Sequence, residues 1–413
     1  MVGVAKLNRR RLTGTTFIGV TGSYGKSTTI ALADGILSSA GKCTTVTGRS
    51  VTNAMDAVLR SNAATKFCMV ETHGSFPGAI ALSVAVLRPQ IGVVTTIGGD
   101  HYSNYRSLEA TAQEKGRLVE SLPPSGVAVL NIDDPHVAGM AKRTEARLLT
   151  FGRSAEADLR ASEVVSVWPG RLSLKAVYRG ESVLVETKLL GEHWVTATLA
   201  GIGIGLACGL DLKTCAEVVG TVDPVFGRYT VHVRPDGAAY VLDSHKAPYW
   251  TIGEGLAFVK GVRAPRKTVV FGTISDYPGA ASPRYRRIAR AALEVADRVI
   301  VVGRHAGHID KLGQGAVKDR LFGFETTYQV SAFLNGDQMA GELIYVKASI
   351  TQHLERIMLS CLDEVVCWHE RCGRKRPCID CRHYRTPRRP PFGVVAAETA
   401  GHEPAAVETR APL

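Results

Sequence analysis

The feature that most constrains this chain is a glycine-rich turn between an apolar run and a helical stretch, "GVTGSYGKSTTIALADGIL" at residues 19 to 37. Such a turn points backbone N–H groups inward, and the helix behind it adds partial positive charge, so a polyphosphate is stabilised there. A strand must precede the turn and a helix must follow it, which commits the region to an α/β fold. Gly25, Lys26 and Ser27 match the end of G-x-x-x-x-G-K-[ST], but the first glycine of that pattern would fall at position 20, where valine stands. Lys26 would reach the β and γ phosphates of ATP and the Ser27 hydroxyl would ligate Mg²⁺, with Thr21, Gly22, Gly25 and Thr28 completing the cradle. The bland alternative is a tight turn with a surface lysine.

The first 150 residues fit that fold throughout. "TTFIGVTG" reads as the strand entering the turn, and "KSTTIALADGILSSAG" as the helix leaving it and stopping at Gly41. "KFCMVETHG", "QIGVVTTIGG" and "SGVAVLNIDD" read as further short apolar strands. In a mostly parallel sheet, ligands lie outside the carboxyl ends of the strands, the ends that carry Glu71, His101 and Asn131. Residues 155 to about 190 alternate apolar and polar residues around Pro-Gly and Arg-Gly turns, as a small antiparallel unit does. A second α/β pattern begins at "DPVFGRYT", with strands at "AAYVLDS", "KTVVFGT", "RVIVVG" and "ELIYVKAS". The expected division is 1–221 for an ATP-binding domain that includes the small β unit and 222–362 for a smaller Rossmann-like domain. A Cys- and Arg-rich segment follows at 363–386, then a flexible tail rich in Pro, Ala and Glu at 387–413.

The spacing T-G-x-x-G-K-[ST]-T after an apolar strand resembles the loop of the Mur ligase superfamily. Glu71 and Gly74, Arg88 and Pro89 with Ile97, then His101, Lys115, and Asn131 with Asp133 keep the order and spacing of that superfamily's central domain. The likeness is strongest to the D-alanyl-D-alanine-adding branch. It implies an ATP-dependent, ADP-forming carboxylate–amine ligase, in which the γ-phosphoryl group passes to a carboxylate and an amine attacks the resulting acyl phosphate. It also implies Mg²⁺ held by Ser27, Glu71 and His101, supported by Lys115, whose family counterpart is commonly carbamylated. Taken alone, "QEKGRL" reads equally as a helix face with Lys115 in water, and Asn131 as part of an ordinary Asn-Asp turn.

The second half carries the resemblance further. "VFGRY" would bring Arg228 to the nucleotide phosphates, and "VLDSHKAP" keeps Asp243 and Pro248 in their family places. Lys246 stands where the family has histidine or asparagine, and Ala348 replaces a glycine in "LIYVKAS", where Lys347 and Ser349 would face substrate. Trp194 replaces the asparagine of a G-x-H-N motif near the adenine site, so adenine recognition is altered or uses stacking. Cell-wall members of the family begin with a domain for a UDP-sugar. Here the loop follows only about fifteen residues of chain, so the acceptor is expected to be held without a uridine-binding domain, or with recognition from a partner subunit.

Formal net charge is +12 over 413 residues, but residues 370 to 389 hold eight basic and two acidic residues and therefore half of the excess. A general nucleic-acid surface is not expected. Neither a signal-length apolar run nor an eighteen-residue apolar stretch occurs, which points to a cytoplasmic protein without a membrane partner. Cys43, Cys68, Cys208 and Cys215 are scattered among apolar neighbours as buried thiols would be, whereas Cys361 precedes the cluster Cys367-x4-Cys372-x5-Cys378-x2-Cys381. Four thiolates so spaced suit a tetrahedral structural Zn²⁺, with His369 or His383 as substitute ligands. An iron–sulfur cluster and a metal-free tail are the other readings. The arginines among them would dock an anionic ligand, a protein partner or nucleic acid, or would simply be solvated. Lys246, Ala348 and Trp194 also allow a nucleotide-binding regulatory module that has lost its chemistry, although Lys26, Glu71, His101 and Lys115 are all retained.

Overall fold

The computed structural model describes residues 1–384 apart from 49, 314, 371 and 375, so the tail at 387–413 lies outside the described residues. The first sheet contains β1 (Thr16–Thr21), β2 (Cys43–Val46), β3 (Phe67–Glu71), β4 (Ile91–Val94), β5 (Val127–Asn131), β6 (Arg147–Gly152), β7 (Leu159–Val165), β8 (Ser173–Tyr178) and β9 (Glu181–Glu186). Its order is β2-β3-β1-β4-β5-β6-β7-β8-β9. Pairing is parallel from β2 through β7 and antiparallel from β7 to β9, so the small antiparallel unit continues the main sheet of the first domain.

The second sheet contains β10 (Thr230–Val233), β11 (Ala239–Asp243), β12 (Lys267–Phe271), β13 (Arg298–Val302), β14 (Leu321–Phe324) and β15 (Leu343–Lys347), in the order β10-β11-β15-β12-β13-β14. Only β10 runs antiparallel. Among the described residues no helix is long and apolar enough to cross a membrane.

Burial on both faces explains the unbroken apolar runs of the central strands. Ile18 and Val20 of β1 point to one face, with Ile30, Ile36 and Leu199 from the helices Lys26–Ser38 and Val195–Ala207. Phe17 points to the other, with Val58 and Leu87. Each such side chain contributes about 1.5–3 kcal/mol by leaving water. The helix Val195–Ala207 is rich in small residues because it lies tight against its neighbours: a Cβ on Gly205 would come within 2.8 Å of Ile36.

Strands β2, β6, β10 and β14 escape the sequence reading because they are short or half-exposed, with none of the long apolar runs of the centre. A helix at Val2–Arg11 is also new. It is tied down by Arg9 Nε donating to Leu87 O at 2.6 Å and Asn8 Nδ2 donating to Val58 O at 2.7 Å. At the amino-terminal ends of the second sheet's strands, Arg298 donates to Glu342 Oε1 at 2.8 Å and to Thr268 Oγ1 at 2.9 Å, while Arg266 reaches Glu342 Oε2 at 2.7 Å.

Candidate active site

Strand β1 lies between β3 and β4, where the connections diverge, so the turn after Thr21 opens into the crevice that such sheets use for ligands. Thr21 is fully buried and its hydroxyl donates to Thr72 O at 3.1 Å, which ties the strand ends rather than facing the crevice. Gly22 has φ 141°, and a Cβ there would lie 1.9 Å from Thr95 Oγ1, so no other residue fits. Gly25 (φ 82°) turns the chain into the helix that begins at Lys26.

Four side chains meet at that helix start. Ser27 Oγ donates to Glu71 Oε2 at 3.0 Å, Lys26 Nζ lies 3.8 Å from Glu71 Oε1, and Arg228 Nη2 from the second sheet's side donates to Ser27 Oγ at 3.1 Å. His73, Asp243 and Lys246 line the same small cavity. Burial pushes the Lys26 ammonium down to about 7 despite the attraction of Glu71. Thr28, one turn position further, is buried and its hydroxyl has no hydrogen-bond partner among the described residues.

Behind Glu71 a second group of charges gathers. Asp100 Oδ2 lies 3.4 Å from Lys115 Nζ and 3.8 Å from His101 Nε2, and Ser23 Oγ donates to Asp100 Oδ1 at 2.5 Å. Lys115 is almost fully buried, which settles the water-facing alternative against it. Burial works to raise the Asp100 pKa, but Lys115 and Lys26 hold its carboxyl well below the ordinary range. Burial lowers His101 to about 4 against the pull of Asp100, and lowers His73 to about 2, with Lys26 and His101 adding to the effect.

The two rings lie edge to face at 5.1 Å, and neither His101 Nε2 nor His73 Nδ1 has a hydrogen-bond partner among the described residues. Uncharged imidazoles with free ring nitrogens, two carboxylates and a serine hydroxyl form a donor set that fits a hard divalent cation. Sequence reasoning missed His73 and Asp100, although they stand two residues after Glu71 and directly before His101.

From the second sheet, Asp243 accepts from Tyr345 OH at 3.0 Å and from Lys347 Nζ. Lys347 is therefore buried against Asp243 and does not face the crevice as the sequence reading had it. Asp276 joins the sheets by accepting from His101 N at 3.0 Å, and Lys246 lies 3.9 Å from its other oxygen.

A cavity of about 440 Å³ adjoins the loop, walled by Tyr24, Asn131, Asp133, His193, Trp250 and Glu254 among others. Asn131 donates to Thr95 O at 2.8 Å and accepts from Asp133 N at 3.0 Å, so its side chain shapes the wall from a fixed position. Trp194 is buried and stacks on Tyr24 at 5.3 Å, whereas Tyr24 and Trp250, both half-buried, line the cavity itself. Burial raises Glu254 to about 7, with Lys347 opposing and Asp243 reinforcing. Neither Tyr24, Trp250 nor Glu254 carries a motif that sequence alone would single out.

Residues 20–205 match the family described as the Mur ligase middle domain. The chain is 30% identical over 398 residues to the UDP-N-acetylmuramoyl-tripeptide–D-alanyl-D-alanine ligase of Mycobacterium tuberculosis, an alignment covering 88% of this chain and 75% of that one. The chain belongs to the Mur ligase family. It is an ATP-dependent, ADP-forming ligase that makes a C–N bond between a carboxylate and an amine. In fold this Mur ligase is similar to MurF from Acinetobacter baumannii, with TM-score 0.80, 19% identity and coverage of 88% and 80% of the two chains. It is also similar to MurF ligase from Thermotoga maritima in complex with ADP, with TM-score 0.74, 19% identity and coverage of 87% and 82%.

The Cys-rich segment of this Mur ligase packs on the second sheet, and its thiols are arranged differently from the expected set. Among the described residues, the donor atoms that lie within 4.8 Å of one another belong to His353, Glu355 and Cys378; Cys367, Cys372, Cys378 and Cys381 form no such group. Cys372 Sγ instead lies 3.0 Å from His353 Nε2. Cys361 is engaged elsewhere, with Tyr240 OH at 3.0 Å and Asn335 Oδ1 at 3.1 Å. Cys43, Cys68, Cys208 and Cys215 are unbridged thiols, buried or half-buried.

Proposed function

We propose that the groups around Lys26 are the ligase's catalytic machinery, and that its substrates are a peptide-bearing carboxylate and a dipeptide amine of the D-alanyl-D-alanine kind. The observation that carries this reading is the junction of Ser27 with Glu71 and Arg228, which joins the phosphate loop to the second sheet. The substrate class is taken from the relatives, whose name specifies a UDP-N-acetylmuramoyl-tripeptide and D-alanyl-D-alanine.

Adenosine would lie in the 440 Å³ cavity against Tyr24 and Trp250, with its phosphates on the N–H groups of the Gly22–Gly25 turn. Lys26 and Arg228 balance the charge on the transferred group from opposite sides. Ser27 and Glu71 would hold Mg²⁺, with His101 and a carbamylated Lys115 supporting a second position, and the ion would supply charge neutralisation around the γ-phosphate. An acceptor carboxylate oxygen attacks the γ-phosphorus, the bond to ADP breaks, and an acyl phosphate forms. The neutral amine then attacks the acyl carbon, phosphate leaves with the bonding pair, and the nitrogen gives up a proton. Closure of the sheet carrying Asp243 and Arg228 over the loop keeps water from the acyl phosphate. This reading also gives the Cys-rich segment a structural zinc ion, with Arg374, Arg376 and Arg382 positioned to attract an anionic ligand or protein partner.

The test is ADP release with ATP and Mg²⁺ in the presence of UDP-N-acetylmuramoyl-tripeptide, D-alanyl-D-alanine, and pools of amino acids and small carboxylic acids. Release should need both an acid and an amine, and Lys26→Ala should abolish it while leaving the fold intact. Undiminished turnover in Lys26→Ala would sink the site assignment, and turnover with amines other than the dipeptide would replace the substrate reading alone.

A further inference from the structure

We propose that a zinc ion clasps the Cys-rich segment to the turn that follows β15, held by His353 Nε2 and the thiolates of Cys372, Cys378 and Cys381. Glu355 is the positioning carboxylate behind the imidazole. The inference rests on the reading that the segment takes zinc at all, and changes both where the ion sits and what it holds.

His353 connects the 3-10 turn Ile350–Gln352 to the helix Glu355–Leu359 and has φ 57°, a left-handed conformation that a non-glycine residue adopts only when its surroundings impose it. Its ring is buried. Nδ1 lies 3.3 Å from Glu355 Oε1, and the same oxygen accepts from Cys378 N at 2.8 Å. A carboxylate at Nδ1 fixes the proton there, which leaves the Nε2 lone pair pointing at Cys372 Sγ, 3.0 Å away. This is the arrangement that stands behind metal-ligating histidines. Imidazole, carboxylate and the Cys378 thiol, all buried within 4.8 Å of one another, are a costly set to remove from water unless a cation joins them.

Cys372 and Cys381 lie outside the group that His353, Glu355 and Cys378 form within 4.8 Å, so the ion would draw both thiolates in; Cys381 is assigned from local backbone geometry. Cys378–Asp380 is a 3-10 turn, and Cys381 N donates to Cys378 O at 2.8 Å, the compact knuckle that C-x2-C spacing makes around zinc. Cys381 is buried beside it. The backbone carbonyl of Cys367 accepts from the buried Arg356 at 2.9 Å, and among the described residues it is the thiol of Cys372, not that of Cys367, that reaches His353 Nε2. His353 thus takes the position that the four-cysteine spacing gives to Cys367. Such a short segment has little core of its own, and a metal is the usual remedy.

The clasp shapes a cleft at the carboxyl ends of the second sheet. Gln352, next to His353, accepts from Thr273 N at 2.6 Å and donates to Val302 O at 3.1 Å, spanning the ends of β12 and β13. From the segment, Glu370 accepts from Thr327 N at 2.9 Å and from Thr327 Oγ1 at 3.1 Å. Gln352, Glu370 and Gly373 line one cavity of about 460 Å³ with Thr273 and Arg304. The ion would therefore lock together two walls of that cleft, one from the sheet and one from the segment.

The experiment uses the full chain purified without chelator. Elemental analysis should give a single zinc per chain, and zinc-edge X-ray absorption should fit three sulfurs at about 2.3 Å and one nitrogen at about 2.0 Å. His353→Gln and Cys378→Ser should lose the metal, Cys367→Ser should keep it, and Glu355→Gln should bind it roughly 10- to 100-fold more weakly. A four-sulfur fit, or loss of zinc in Cys367→Ser with retention in His353→Gln, would overturn this ligand set and leave the zinc reading standing. Substoichiometric zinc in the wild-type protein would overturn both. Because the absorption measurement uses the wild-type chain, misfolding of a variant cannot mask the answer.

Discussion

Lys26 should take up a proton when nucleotide binds. Burial holds its ammonium at about 7, whereas a bound polyphosphate places several negative charges at the end of the side chain and restores an ordinary lysine pKa. At pH 8 roughly one Lys26 in eleven is protonated before binding, so uptake should be about 0.9 proton per nucleotide; at pH 6 it should fall to about 0.1. Titration calorimetry in buffers of contrasting ionisation enthalpy reads this number directly. Glu254 lines the adjoining cavity and also titrates near 7, so Lys26→Met is the necessary control and should lose the uptake.

The same variant has a stability signature. A lysine whose folded pKa lies below its unfolded value destabilises the fold, fully at pH values below about 7 and progressively less as pH rises toward about 10.5. Burial of this ammonium therefore costs on the order of 4 kcal/mol at pH 7. Lys26→Met should therefore melt at a higher temperature than wild type at pH 6 to 7, with the difference shrinking above that. An uptake near zero at pH 8, or an equal uptake in Lys26→Met, would refute the argument that the loop stores a neutral lysine.

Two further substitutions address the loop and the metal position. Gly22→Ala combines a positive φ with a Cβ driven into Thr95, so it should cost on the order of 3 kcal/mol in urea unfolding and weaken nucleotide binding; native stability would mean that the turn is not under this constraint. Glu71→Gln keeps the shape and the Ser27 contact but removes the charge, and should lower ADP release by at least about 100-fold while changing nucleotide affinity far less. A loss below tenfold would remove Glu71 from the catalytic group.

How much of this was legible beforehand depended on whether a residue's role is local. Gly22, Gly25, Lys26 and Ser27 sit in one turn whose chemistry is written consecutively, and β1, β3, β4 and β5 announce themselves as apolar runs because they are buried on both faces. Glu71 and His101 were reachable through the resemblance.

His73 and Asp100 were not, since nothing in a strand end or a Gly-Gly turn distinguishes a residue that points at a cation from one that points at water. Lys347 looked like a substrate-facing residue until the fold set Asp243 beside it across adjacent strands. The cysteine spacing drew attention to Cys367, yet the residue that reaches Cys372 is His353, fourteen positions upstream of Cys367 and on the far side of the helix Glu355–Leu359. Spacing within a segment reveals partners in that segment and says nothing about partners brought by folding.

The polarity of the second sheet divides the tolerance of this protein to change. Arg298, Arg266 and Glu342 hold the amino-terminal ends of its strands together in a buried ionic knot, far along each strand from Asp243, Thr273 and Gln352 at the opposite ends. Removing one member of such a knot leaves an uncompensated buried charge. A mutational screen scored by abundance would therefore mark one rim of the sheet, and a screen scored by turnover the other.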